Sequence, residues 1–278
     1  MLPSNIVPAP AGESWRTELF DLPAYFDAIG VERGEASLGM LTRMHEAHVR
    51  TLPFANVDVL LGQARGVDPE TVQEQLVLRR RGGYCFEHAQ IFAAALEHLG
   101  FPARRALGRV HRIDNTRTHM SVVADVEGRR WLCDPGFGFS LTAPIELADG
   151  ATRDENGRTI EIRRYDDAGS PVWALNRDGV TQHFTDELTV HPIDVHTGHF
   201  VTSRNTHAPF TQHLMVMKHT DDGHITVTEN ARTVRRRGAD TEHRERSVHE
   251  VVDDVQELGV RLQAGEDRLL AEALTRIR

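Results

Sequence analysis

Cysteine is scarce: Cys85 and Cys133 are the two present in 278 residues, too few for a disulfide framework. No apolar run approaches the roughly 20 residues of a membrane span. Met1 to Pro10 is rich in proline and lacks the apolar core of a signal peptide. Positive charge is also short, with a formal net charge of -9, which argues against a broad nucleic-acid surface. Arg79 to Arg81 and Arg235 to Arg237 are local exceptions, read as solvated faces that could meet a phosphate-bearing ligand. There are no repeats and no low-complexity segments. The expectation is a soluble cytoplasmic protein, long enough for one large domain or a few compact subdomains.

What is present centres on Arg79-Arg80-Arg81-Gly82-Gly83-Tyr84-Cys85-Phe86-Glu87-His88. From Cys85 the apolar positions Ala89, Phe92, Leu96 and Leu99 recur at helical spacing, and Gly100-Phe101-Pro102 ends the run. The spacing predicts a helix whose first turn holds Cys85. Unpaired backbone N–H groups and the positive end of the helix dipole there stabilise a thiolate. A lone helix cysteine is more often a buried structural residue. The case for a nucleophile therefore needs a base and a group to orient that base.

The first hundred residues read as a helical bundle after a loose lead-in over Met1 to Glu13. Leu22, Tyr25, Phe26 and Ile29 form one stripe, Leu38, Leu41, Met44, His45 and His48 a second, and Asp68-Pro69 begins another helix. Val57 to Leu61 is a short apolar stretch. After Pro102 the period changes to two. Strands are expected over Ala106 to Arg112, Thr118 to Val126, Arg130 to Cys133, Thr159 to Tyr165, Val172 to Leu175 and Gln182 to Thr189. Pro192 to Phe210 reads as irregular. Leu214 to Lys218 and His224 to Thr228 read as a hairpin around Asp221-Asp222-Gly223, and Ser247 to Arg278 returns to helix.

The base comes from the second strand and the turn after it. If Glu127-Gly128 is a two-residue hairpin turn, Val126 faces Arg129 and Asp134 faces Ser121. His119 then shares a sheet face with Asp134 as its diagonal neighbour, within reach of a hydrogen bond. A turn at Gly128-Arg129 keeps that parity, whereas a three-residue loop would put the two on opposite faces. Asp134 also precedes Gly136-Phe137-Gly138, where backbone can approach a ligand closely. His45, His48 and His88 have no further ligand at metal spacing, so no metal site is expected. Cys133 is expected to pack on the strand face opposite Asp134.

Arg81-Gly82-Gly83-Tyr84-Cys85-Phe86-Glu87, Thr118-His119-Met120 and Asp134-Pro135-Gly136-Phe137-Gly138 resemble the arylamine N-acetyltransferases. The resemblance also takes in His45, Pro53-Phe54 and Asn56, and Leu258-Gly259-Val260 before a last helix. It implies an α+β fold with a papain-like Cys-His-Asp arrangement. A helical bundle over 1–105 would carry Cys85, a β-barrel over 106–212 would carry His119 and Asp134, and an α/β lid would span 213–278. Cys85 would be the nucleophile, His119 the base and Asp134 its partner. Phe54, Thr118, Phe137 and Gly138 would lie at the substrate. Departures from the family pattern are Ala55 for a common Glu after Pro-Phe, Ala89 for Asn, Pro135 for Val, and Arg204-Asn205-Thr206 for Thr-His-Pro.

The implied reaction moves an acetyl group from acetyl-coenzyme A to Cys85, and then to the nitrogen of an arylamine, arylhydrazine or N-hydroxyarylamine. Acetyl-coenzyme A is a co-substrate, with no tightly bound cofactor, and the chain would act as a monomer or homodimer. The alternatives are an amide synthase of the same fold acting on a polyketide, a thiol hydrolase or transglutaminase-like enzyme, and a non-catalytic relative.

Overall fold

Helices come first, as their spacing predicts, within residues 15–139 and 141–278, which the computed structural model describes. The lead-in expected over Met1 to Glu13 lies outside these residues. In order come α1 (Leu22–Ile29), α2 (Leu38–Thr51), β1 (Phe54–Ala55), α3 (Val57–Leu60), α4 (Pro69–Val72), a π-helical turn (Gln73–Leu78) and α5 (Cys85–His98). Side chains cap α1 and α2: Asp21 accepts from the Ala24 N–H and Ser37 from the Met40 N–H. Helix α5 starts at Cys85 and is buried on every side from Cys85 to Leu96. It ends where Gly100 predicts. The N–H of Gly100 bonds Glu97 O and that of Phe101 bonds Leu96 O, both at 3.0 Å, closing a Schellman motif.

Next are β2 (Ala103–Val110), β3 (His119–Val126), β4 (Arg129–Cys133), β5 (Ile145–Glu146), β6 (Thr152–Glu155), β7 (Arg158–Asp167), β8 (Ser170–Arg177) and β9 (Val180–Asp186). They form one antiparallel sheet in the order β5-β4-β3-β2-β9-β8-β7-β6, an almost closed barrel. Val123, Leu132, Ile160, Ile162 and Leu175 fill its core, while α5 packs on β2 and β3.

Pro192 to Phe210 is not irregular: it holds α6 (Pro192–Arg204) and begins α7 (Pro209–Gln212). Pro192 occupies the first helical position, and Asp194 Oδ2 accepts the His191 N–H at 2.9 Å. The buried face of α6 consists of Val195, Gly198, His199, Thr202 and Ser203. These fall at helical spacing, but most are polar or lack a side chain, so an apolar-stripe criterion passes over them.

The chain closes with β10 (Val216–His219), β11 (Gly223–Val227), β12 (Ala231–Arg236), β13 (Glu242–Glu245), α8 (Val248–Glu257) and α9 (Glu266–Ile277). Strand β1 joins β10 to β13 in a five-stranded sheet, with Phe54 opposite Met217. Val216, Val227, Val251, Val255, Leu270 and Leu274 are packed between this sheet and the last helices. No helix among the described residues is long and apolar enough to cross a membrane.

Arg81 fastens the start of α5 to this last layer. Its side chain is 1% exposed. Nε donates to Asp58 Oδ1 at 3.0 Å, and Nη2 also bonds Asp58. Nη1 donates to Glu266 Oε2 at 2.6 Å and to Arg261 O at 2.9 Å. Ala55 therefore leaves Arg81 no deficit of negative charge, because Asp58 and Glu266 supply it.

Candidate active site

Cys85 is the first residue of α5. Tyr84 before it is extended, and its N–H is taken by Glu87 Oε2 at 3.1 Å. Burial pushes the Glu87 carboxyl up to about 8, against the opposing effect of its backbone N–H bonds. The Cys85 thiol donates to Thr118 O at 3.6 Å. Gly136 lies directly behind it: a Cβ there would fall 2.7 Å from Cys85 Cα and 2.8 Å from His88 Cβ. The Pro135-Gly136 step can thus press against the helix start only because position 136 has no side chain.

The hairpin expected at Glu127-Gly128 is present. Both residues have positive φ, 54° and 75°, as a type I′ turn requires. Val126 pairs with Arg129 and Val122 with Cys133. Asp134, one residue beyond β4, therefore lies on the face of His119, and His119 Nε2 is 3.0 Å from Asp134 Oδ1. The contact is close but bent away from a linear N–H···O bond. Both side chains are at most 2% exposed.

Burial lowers the affinity of His119 for a proton. The charge of Asp134 outweighs this, the bonds to Asp134 and Cys85 add to it, and the ring pKa rises to about 10. Burial likewise opposes ionisation of Asp134. The charge of His119, and the hydrogen bonds from His119 and His183, nevertheless hold it well below the usual carboxylate range. The site is electrostatically a carboxylate and an imidazolium beside a thiol.

Three residues that the sequence reading did not single out as part of the site complete it. His183 Nε2 is 3.1 Å from Asp134 Oδ2. His45, read there as a helix-face residue and part of the family resemblance, accepts the Asp134 backbone N–H at Nε2, 3.0 Å away. Burial drives its pKa down to about 4 despite the charge of Asp134, so the ring is neutral and its nitrogen free to accept. Asn56, also noted only within the resemblance, donates to Phe210 O at 2.9 Å and His213 O at 2.7 Å and accepts the Met215 N–H at 2.8 Å.

Cys85 and His119 face a cavity of about 650 Å³. Phe54, Thr118 and Phe137 line it, together with Phe139, Phe210 and Met217. Gly138 is not among the lining residues. It packs behind the wall, where an added Cβ would be 3.0 Å from Met217 Sδ, and its carbonyl accepts from His224 Nε2 at 3.1 Å. Among the described residues, His119, Asp134 and His183 form the one group of ligand atoms near enough to one another to hold a metal ion, within 4.8 Å. Each of the two histidines stands at hydrogen-bonding distance from Asp134, 3.0 Å for His119 and 3.1 Å for His183.

A family model described as N-acetyltransferase matches residues 37–266. The arylamine N-acetyltransferase / N-hydroxyarylamine O-acetyltransferase of Salmonella typhimurium is 34% identical over 219 residues, 74% of this chain and 76% of that protein. The chain belongs to the arylamine N-acetyltransferase family. Its fold matches the solved arylamine N-acetyltransferase of Mycobacterium abscessus with a TM-score of 0.88 at 29% identity, covering 96% and 99% of the two chains. The Mycobacterium marinum arylamine N-acetyltransferase, solved in complex with CoA, matches with a TM-score of 0.84 at 26% identity over 92% and 99%. In this family member Cys85, His119 and Asp134 lie on α5, β3 and the β4–β5 connection, while β1 and the α7–β10 segment supply Phe54, Phe210, Met215 and Met217 to the cavity.

Proposed function

We propose that this chain transfers an acetyl group from acetyl-coenzyme A to the nitrogen of arylamines, arylhydrazines or N-hydroxyarylamines through an acetyl-Cys85 intermediate. The observation that carries the reading is the meeting of Cys85, His119 and Asp134 at one end of an aromatic-lined cavity. Acetyl-coenzyme A is a co-substrate and stays only for the first half-reaction. The free, reduced state of both cysteines fits a cytoplasmic site of action.

In the first half-reaction the Cys85 thiolate attacks the thioester carbonyl, with the proton resting on His119. The new C–S bond replaces the old one as the tetrahedral intermediate collapses. His119 returns a proton to the departing coenzyme A thiolate, so one thioester is exchanged for another. First-turn N–H groups of α5, which have no acceptor within the helix, stabilise the transient oxyanion. In the second half-reaction the amine nitrogen attacks acetyl-Cys85. His119 takes the amine proton while Cys85 leaves as thiolate. Asp134 holds the ring in place and offsets its charge in both directions. An arylamine or hydrazine is neutral near pH 7 and so nucleophilic, whereas an alkylamine is largely protonated. Phe54, Thr118 and Phe137 would contact the aryl group.

A cavity of about 650 Å³ suits a drug-sized aryl amine beside an acyl group. It offers little room for a macrocyclic polyketide, so it favours acetyl transfer over an amide synthase. Mixing the protein with acetyl-coenzyme A alone should give one equivalent of coenzyme A and a 42 Da adduct, roughly an acetyl group, on Cys85. Adding an arylhydrazine should then discharge it. Acetylation that survives Cys85→Ala would overturn the assignment of the nucleophile, and failure to release coenzyme A at all would overturn the reaction.

A further inference from the structure

We propose that His183 is a positioning residue for acyl transfer: it donates from Nε2 to Asp134 Oδ2 at 3.1 Å and so holds the carboxylate in the rotation that turns Oδ1 toward His119. The inference rests on the triad reading above.

The sheet delivers His183 by a non-local route. Gly108 on β2 pairs with His119 on one side and with Thr185 on the other. A Cβ at Gly108 would lie 2.4 Å from Phe184 O, so the strands can draw together only around a glycine. His183 and Thr185 are two apart on β9, share its inward face and are fully buried. The His183 and His119 ring centres stand 4.4 Å apart, and Phe137 packs against both.

The tautomer follows from the partners. Thr185 Oγ1 lies 3.3 Å from His183 Nδ1 and can donate to it, which leaves the proton on Nε2, facing the carboxylate. Burial and then the charge of His119 keep His183 from taking a second proton. Two histidines thus share one carboxylate in different states, one charged and one neutral. Without His183, Oδ2 would be a buried acceptor with no partner on that side, and the carboxylate could turn about its Cβ–Cγ bond. The ionisable groups around this carboxylate are His119 on β3, His183 on β9, His45 on α2, Cys133 on β4 and Arg177 on β8, with Cys85 beyond His119.

The test compares full-length His183→Leu, His183→Gln and Thr185→Val for the rate of Cys85 acetylation as a function of pH, with thermal melts alongside. His183→Leu is expected to slow acetylation roughly 10- to 100-fold. It should also move the acid limb to higher pH, because the carboxylate loses a donor that favours its charged form. His183→Gln, whose amide nitrogen reaches toward the same oxygen, should restore most of the rate and return the limb. Thr185→Val should show a smaller shift of the same sign. Wild-type rate and profile in His183→Leu, or equal loss in Leu and Gln with an unmoved limb, overturns the proposal. If His183→Leu does not fold, an unmoved limb in Thr185→Val overturns it instead. Cys85→Ala and Asp134→Asn serve as references: both inactive with His183 variants at wild-type rate refutes this inference alone, whereas an active Cys85→Ala refutes the triad reading.

Discussion

His119 reaches Asp134 at 3.0 Å because two left-handed residues, Glu127 and Gly128, make the shortest turn that pairs Val126 with Arg129. An even loop keeps both side chains on one face, and an odd one would separate them. The register of a single hairpin therefore decides whether the thiol has a charged base.

Asp134→Asn keeps the shape of that pair and removes its charge. Burial of the His119 ring would then be unopposed by its strongest partner, so its pKa should fall from about 10 to below the ordinary value. With no stable imidazolium the thiolate loses its counter-ion, and acetyl transfer should drop by a factor on the order of 10³ to 10⁴. Steady-state turnover with an arylhydrazine, together with the pH profile of thiol alkylation, measures both effects. Wild-type turnover in this variant would show that Asp134 does not act through charge.

The two thiols should differ in reactivity. Cys133 is fully buried, and burial followed by the Asp134 charge pushes its thiol well above the usual range. Cys85 opens on the cavity and shares a hydrogen bond with His119. Iodoacetamide near pH 6.5 should therefore add once, at Cys85, and peptide mapping locates the adduct. In His119→Gln, alkylation at that pH should slow at least tenfold, because the thiol then has no imidazole beside it to take its proton.

Much of this site is local in the chain and could be read there. The helix at Cys85, its end at Gly100 and the Glu127-Gly128 turn depend on short-range spacing and backbone preference. His183 could not be found that way, because it meets Asp134 only after β9 pairs with β2 across Gly108. The glycine inside an otherwise regular strand was the available signal. Helix α6 carries no apolar stripe, because its buried side includes His199, Thr202 and Ser203 rather than leucines. Arg81 was legible as a charge but not as a buried one, since Asp58 and Glu266 approach it from opposite ends of the chain.

That buried cluster should weigh heavily on stability. Asp58→Ala removes one of the two carboxylates that hold the Arg81 side chain at 1% exposure and should cost up to about 3–5 kcal/mol, the range for broken buried pairs. Asp221→Ala breaks the pair with Arg50, where Asp221 is 96% exposed, and should cost well under about 1 kcal/mol. Urea unfolding of the two variants gives the comparison. Equal effects would mean that Glu266 and the Arg261 carbonyl suffice to hold Arg81.

Protonation of His119 should leave its own mark on stability. The folded-state pKa is raised from 6.5 to about 10, so the linked stabilisation is fully present below about pH 6.5 and is lost as pH rises toward 10. The urea midpoint of the wild type minus that of His119→Gln should shrink across that interval. A difference that stays constant would place the proton elsewhere.

Asn56 separates the cavity wall from the chemistry. Its amide holds Phe210 O, His213 O and the Met215 N–H, fixing the segment that presents Phe210 and Met215 to the cavity. It makes no contact with Cys85, His119 or Asp134 among its hydrogen bonds. Asn56→Leu keeps the volume but strands those three backbone groups, at a cost of roughly 1–3 kcal/mol for each that water cannot reach. In protein that remains folded, the KM for the aryl amine should rise severalfold while acetylation of Cys85 by acetyl-coenzyme A slows by less than about twofold, since uniform binding is lost and the transition-state contacts are kept. Measuring the two half-reactions separately decides it. A loss confined to the acetylation step would place Asn56 with the catalytic helix rather than with the wall.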